Sequence, residues 1–142
     1  MITHYNVLET VYNYFKNIPE LANIKFLYEF PAQKQDLPLR SPIVTIGLDE
    51  YKMAPIEDAE LVTSTDALNT ATVKMLICVP KAQSGFDCYC TLKSILNNSK
   101  EFINSNKVLN IKTDSMRFDS TVCGLVLPFY ISLKLDSAYI EL

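Results

Sequence analysis

Apolar residues occupy every second position between Thr121 and Asp136. A period of two residues is typical of a β-strand, because successive side chains of a strand point to opposite faces of a sheet. We therefore predict one long strand over this stretch, with its apolar side against the core. That side consists of Leu125, Leu127, Phe129, Ile131, Leu133 and Leu135.

The N-terminal segment has the period of an amphipathic helix. Thr3 is the candidate N-cap, apolar residues then recur at helical spacing, and Pro19 ends the helix. Such a stripe usually faces the core of its own domain, so we expect this helix to pack on a sheet. The stripe consists of Leu8, Val11, Tyr12, Phe15 and Ile18.

A second helix is predicted in the middle of the chain. Ser84 is its candidate N-cap, and Asp87 gives its first turn a negative charge. The polar residues at 97–99 and at Asn104 are the positions where we expect the helix to fray. Its predicted buried stripe is Phe86, Tyr89, Leu92, Ile95, Leu96 and Ile103.

Further segments alternate in the manner of strands. The stronger ones are residues 24–30, 43–53 and 70–80, and the weaker ones are residues 108–114 and 115–118. Gly47 is a candidate β-bulge. Residues 31–42 hold three of the seven prolines, which indicates an exposed connection.

Taken in order, these elements predict a single domain over residues 1–142. The fold class is α+β, with an antiparallel or mixed sheet of about four to six strands and two main helices packed on one face. The predicted core is Leu8, Val11, Phe15, Leu92, Leu96, Leu127, Phe129, Ile131 and Leu133.

An acidic and apolar segment separates the second and third strands. Six acids lie between Asp49 and Asp66, against Lys52 alone. A long connection of this kind in a compact domain is typically functional or mobile. We interpret it as a protruding arm that docks on a neighbour, rather than a cation site, since its spacing matches no calcium loop. The predicted assembly interface is Met53, Ile56, Glu57, Asp58, Glu60, Leu61 and Val62.

Composition excludes several kinds of site. The 13 Lys and Arg residues are scattered and the net charge is −3, whereas DNA binding needs a concentrated basic face. Three glycines are too few for a phosphate-binding or dinucleotide-binding loop. The chain has a single His and no Ser or Cys in a recognisable nucleophile elbow. We predict no catalytic residue, no metal and no cofactor.

The four cysteines leave one enzymatic alternative open. Their spacings match no paired metal-binding pattern, so buried free thiols are the expected state. Cys88 or Cys90 would lie near the N-terminus of the second helix, where the helix dipole could lower the pKa of a thiol. The simpler interpretation is that both are small helix residues, one of them buried.

Neither secretion nor membrane insertion is predicted. Glu9 interrupts the region that would form the apolar part of a signal peptide. The longest uncharged run, residues 120–133, is shorter than a membrane helix and contains Gly124 and Pro128. We expect a cytoplasmic protein.

The order of elements resembles that of the tail terminator, or tail completion, proteins of long-tailed bacteriophages and related phage-tail-like particles. The resemblance lies in an N-terminal helix ending in IPEL, the extended segment SPIVTIGLDEY after a proline-rich loop, and the acidic excursion. It continues in the strand TATVKMLICVP, the helix SGFDCYCTLKSILNN and the closing strand GLVLPFYISLKL.

This resemblance implies a hexameric ring that caps the tail tube, stops tube polymerisation and provides the docking surface for the head or neck. The implied partners are further copies of the chain, the tail tube protein, and neck, connector or sheath proteins, with no sequence-specific nucleic acid and no membrane. Synthesis in the bacterial host cytoplasm and assembly into the particle follow. The acidic arm would keep DNA from adhering to the ring, and the long strand, as a sheet edge, could pair with a neighbouring copy.

Two alternatives stay open. The chain could be a head-completion, neck or baseplate component of the same kind of particle. It could also be a small cytosolic ligand-binding domain or a thiol enzyme, which would require a closed pocket and a reactive thiol of low pKa.

Overall fold

A computed structural model describes residues 2–3, 5–28, 42–53, 69–80, 85–119 and 124–135. The described helices are α1 (Val7–Lys16), α2 (Gly85–Asn97) and α3 (Lys100–Ser105), with a 3-10 turn at Pro19–Leu21. The strands are β1 (Lys25–Tyr28), β2 (Ile43–Met53), β3 (Asn69–Pro80), β4 (Val108–Thr113), β5 (Arg117–Asp119) and β6 (Gly124–Lys134).

The strands form one mixed six-stranded sheet, which confirms the predicted α+β class. Its order is β1-β2-β3-β6-β4, and β5 also pairs with β6. All pairs are antiparallel except β1 with β2, which run parallel. Strands β1 and β2 are therefore not the two arms of a hairpin, because parallel neighbours cannot be joined by a tight turn. Apart from Pro42, the predicted exposed connection at residues 31–42 lies outside the described residues.

Strand β6 lies inside the sheet. It pairs with β3 over its whole length on one side, and with β4 and then β5 on the other. The expectation that this long strand could serve as a free edge is therefore wrong: both of its hydrogen-bonding sides are occupied within the chain. Residues 121–123 and 136 of the predicted strand lie outside the described residues.

A proline occurs in this central strand at the one place where the sheet can accommodate it. Pro128 pairs with Leu76 of β3, and its carbonyl oxygen accepts a hydrogen bond of 3.0 Å from the N–H of Asp114. In an extended strand the nitrogen and carbonyl of one residue point to the same side, so the Pro128 nitrogen faces the gap between β4 and β5. The missing N–H thus costs no bond to β3.

The main core lies between the helices and one face of the sheet. Every second residue of β3 and β6 points into it, as the period of two predicts. Of the predicted core residues, Leu8 and Leu96 are only partly buried but pack against the core. The other seven are buried: Val11, Phe15, Leu92, Leu127, Phe129, Ile131 and Leu133.

Helix α1 begins later than its sequence suggests. Its N-cap position is Asn6, so the expected cap at Thr3 is wrong. The Thr3 hydroxyl instead accepts a hydrogen bond from the N–H of Tyr5, and the Thr3 N–H donates to Asn6 Oδ1. The buried stripe of the helix also contains Val7, which the predicted stripe did not include.

The predicted second helix is two helices, separated at residues 98–99, where fraying is expected. The Tyr14 hydroxyl donates to the carbonyl of Asn98 and accepts the N–H of Phe102, which fixes this break against α1. Tyr89 is 49% exposed, so its predicted place in the stripe is wrong. Cys88, the residue before Tyr89, is buried in the core instead. Ser84 and the side chain of Phe86 lie outside the described residues.

The register of β2 changes between Leu48 and Glu50. The expected bulge at Gly47 is therefore misplaced, because Gly47 pairs regularly with Lys74. Asp49 is the extra residue, and Leu48 beside it is exposed although it is in phase with buried Val44 and Ile46. A bulge increases the local twist and turns the end of a strand away from the core.

Replacing Phe129 by Ala should lower the free energy of unfolding by about 3–5 kcal/mol, because a fully buried ring leaves a cavity. Chemical denaturation measures this change. The matched control is Leu109→Ala on β4, where the side chain is 54% exposed and the expected change is below about 0.5 kcal/mol. Equal losses in the two variants would show that the inward face of β6 has been assigned wrongly.

Candidate functional site

The second face of the sheet is built from the residues that alternate with the core. Register places them in rows that run across the strands β2, β3, β6 and β4. Rows near the β2 N-terminus are apolar, and rows towards the β2–β3 connection are polar. This division gives the face two regions with different chemistry.

The apolar region is a small second cluster. Ile43, Cys78 and Val126 are buried in it, and Leu27 and Leu76 pack against them. Arg117 pairs with Val126, which brings its charge to the border of this cluster. Burial raises the pKa of the Cys78 thiol to about 12, and the nearby Cys88 and Asp119 add to this rise. Cys78 is therefore a packing residue and is protonated at neutral pH.

The polar region begins with a row centred on Tyr130. Lys74 of β3 lies opposite Tyr130 on one side, and Lys112 of β4 lies opposite it on the other. The Nζ atom of Lys112 is 5.4 Å from the centroid of the Tyr130 ring. A cation at this distance is attracted to the ring face, which holds the lysine over the sheet.

The next two rows carry hydroxyl groups and further charges. The hydroxyls of Thr72 and Ser132 are 3.0 Å apart, so one donates to the other across the β3–β6 pair. In the last row Lys52 and Lys134 flank the β3 strand. Lys52 Nζ is 3.5 Å from Glu50 Oε1, but both side chains are exposed, so this ion pair contributes little to stability.

These rows enclose a shallow groove of about 260 Å³. Its lining consists mainly of charged and hydrogen-bonding groups. Asp49, Glu50 and Lys112 are the charged residues that line this groove. We call the whole polar region the lysine face, defined by Lys52, Thr72, Lys74, Asn110, Lys112, Tyr130, Ser132 and Lys134 together with Asp49 and Glu50.

The predicted arm begins where the β2–β3 hairpin ends. Met53 and Asn69 are the last pair of its ladder, one position beyond Lys52. Of the predicted interface residues, Met53 belongs to β2, and Ile56, Glu57, Asp58, Glu60, Leu61 and Val62 lie outside the described residues. Residues 54–68 thus follow directly after the last row of the lysine face.

Sequence patterns alone did not identify the lysine face. The polar phase of β3 and β6 is visible in the sequence, because Lys74 and Tyr130 each alternate with apolar residues. The order of the strands is not visible, and it is the order that brings Lys112 from β4 to the other side of Tyr130. The available signal was the charge at those positions of β3 and β6 that alternate with the core residues.

The two candidate thiols differ in their surroundings. Cys88 is buried on the core side of α2, and burial raises its pKa to about 11. A nucleophilic cysteine needs the opposite shift, so Cys88 does not fit that role. Cys90 is exposed and borders a second groove of about 290 Å³, together with Glu20, Asp87 and Thr91. His4 lies outside the described residues.

Within the described residues, no group of three or more His, Cys, Asp or Glu side chains is placed to hold a metal ion. Each helix in this part of the chain falls short of the length and apolar character that crossing a membrane requires. Comparisons of the chain with models of known protein families and with curated proteins gave no match.

Thiol labelling tests the environments of the cysteines. In a Cys123→Ser background, we expect one thiol, Cys90, to react rapidly with a disulfide reagent at neutral pH. Cys78 and Cys88 should react only on unfolding, because each is buried and its pKa is raised. Loss of the rapid phase in Cys90→Ser is the control. Rapid labelling of Cys88 in the folded protein would revive the thiol-enzyme alternative.

Proposed function

We propose that this chain is a structural assembly protein that forms a ring on the end of a phage-type tail tube. In this role the ring stops the addition of tube subunits and provides the docking surface for a head or neck. The mechanism is steric and has no chemical step.

The proposal rests mainly on the β2–β3 hairpin, whose two strands are connected by the acidic and apolar residues 54–68. Strand β3 is held between β2 and β6, so the base of the hairpin belongs to the most extensively paired part of the sheet. Residues 54–68 leave this base with four acids and no basic residue. A rigid base with an interacting segment at its tip suits a protein that binds neighbours in a fixed geometry.

The described surface also favours binding between macromolecules over catalysis. The lysine face is open and polar, whereas most small-molecule sites are concave and apolar. The pKa values of Cys78 and Cys88 are raised, which makes both poor nucleophiles. These features support an assembly role, and they support a neck or baseplate component equally well.

Electron microscopy of tails assembled with and without this chain separates these roles. We expect overlong or ragged tubes without the chain and uniform lengths when purified protein is added back. Tubes of normal length in its absence would contradict the terminator role. If such tubes fail to join heads or baseplates, the neck or baseplate alternative replaces it.

A charge variant tests whether the acids of residues 54–68 are needed for length control. Neutralising the segment with Glu57→Gln, Asp58→Asn and Glu60→Gln should reduce length control while leaving the melting temperature unchanged. The matched control neutralises three exposed acids elsewhere, by Glu9→Gln, Glu20→Gln and Glu101→Gln, and should retain full length control.

A further inference from the structure

The lysine face concentrates positive charge on a chain that is acidic overall. Lysines 52, 74, 112 and 134 project from four adjacent strands, while the net charge of the whole chain is −3. Glu50 pairs with Lys52 at the rim. Lys74 and Lys112 flank Tyr130 in the middle row, and Asp49 and Glu50 line the groove beside it, so the face carries four lysines against two acids.

A complementary sequence occurs in the same chain. Residues 54–68 contain Glu57, Asp58, Glu60 and Asp66, and no Lys, Arg or His. Carboxylates are natural partners for lysine ammonium groups, and such pairs gain strength where water is partly excluded. The hydroxyls of Thr72 and Ser132 lie between the lysine rows, and the one that accepts their mutual hydrogen bond can donate its own hydrogen to a carboxylate.

We propose that the lysine face is the docking site for residues 54–68 of a second copy of this chain. The carboxylates of that segment bind Lys74 and Lys112, and Tyr130 supplies a flat floor between them. The inference rests on the proposed function in one respect, since a ring requires contacts between copies.

The requirement for a ring favours a second copy over the same chain. The segment leaves the sheet at Met53 and returns at Asn69, next to the last lysine row. From Thr70 to the Tyr130 row is four residues back along β3, about 13 Å. A segment of 15 residues can span this distance, so reach alone permits docking within one chain or between copies. The proposed ring needs contacts between copies, and it is this requirement that selects the second copy. Because donor and acceptor surfaces differ, the contact is head-to-tail, and such contacts can close into rings.

A nucleic acid strand is a weaker match for the lysine face. Proteins that bind single strands without sequence preference combine basic grooves with several aromatic platforms on which bases stack. In the polar rows that the structure describes, Tyr130 is the aromatic residue, and Lys112 lies over its ring. Stacking on that ring would require the lysine to move.

A charge-swap experiment on the full chain tests this docking. The face variant carries Lys74→Glu and Lys112→Glu, and the segment variant carries Glu57→Lys and Asp58→Lys. Each variant alone should raise the Kd for self-association at least about tenfold, measured by sedimentation. An equimolar mixture should regain association, because each altered face then meets a segment of opposite charge on the other variant.

Matched controls carry the same charge changes elsewhere. Lys93→Glu with Lys100→Glu matches the face variant, and Glu20→Lys with Glu101→Lys matches the segment variant; all four positions are exposed. Both controls should associate like the unaltered protein. If the Lys74→Glu pair fails to fold, Lys112→Glu alone with Glu57→Lys carries the test, because Lys112 is exposed.

Several outcomes would overturn the docking. Variants that associate normally would place the contact between copies elsewhere, and the proposed ring would survive. Variants that stay apart when mixed would point to docking within one chain or to a general loss of association. An unaltered protein that remains monomeric at all accessible concentrations would exclude this contact in solution. Binding of a single-stranded DNA oligonucleotide that Lys112→Glu abolishes, with association unchanged, would assign the face to nucleic acid.

The tail-length experiment separates the two proposals. If docking fails but the chain still limits tube length, the ring is held by another surface. If docking succeeds but tube length is unaffected, the chain forms assemblies with a different role.

Discussion

The pairing of β3 with β6 is the interaction on which the rest of the structure depends. These two strands pair through eleven successive residues, from Thr70 with Lys134 to Pro80 with Gly124. All other strands attach to one of them, directly or through β2. The pair also fixes the phase of both faces, because a slip by one residue would move Phe129 and Met75 from the core to the opposite face.

The alternation of residues along β3 and β6 gives the two faces of the sheet different compositions. On one face, the aliphatic and aromatic residues of β3 and β6 pack against α1 and α2, so the cost of ordering the chain is offset there. The other face needs apolar residues only near Cys78 and Val126. Its remaining described rows carry lysines and hydroxyl groups. The main core and the lysine face thus lie on opposite sides of the same two strands.

The sequence predicted local structure well, because local structure follows periodicity. Alternation over β3 and β6 identified the residues that are buried, and helical spacing identified Val11, Phe15 and Leu92. Long-range features could not be read in this way. The parallel pairing of β1 with β2, the central place of β6 and the approach of Lys112 to Tyr130 all depend on strand order, which periodicity does not encode. The misplaced cap at Thr3 has a local cause: the Thr3 N–H donates to Asn6 Oδ1 in a turn that precedes the helix, and the helix begins after Asn6.

The central claim is that the chain acts as a ring at the end of a tail tube. Electron cryomicroscopy of isolated tails tests it most directly, with a tagged chain to mark its position. The account predicts one ring of six copies at the tube terminus, with the β2–β3 hairpin of each copy directed at its neighbour. Finding the tag along the tube, at the baseplate or absent from the particle would contradict it.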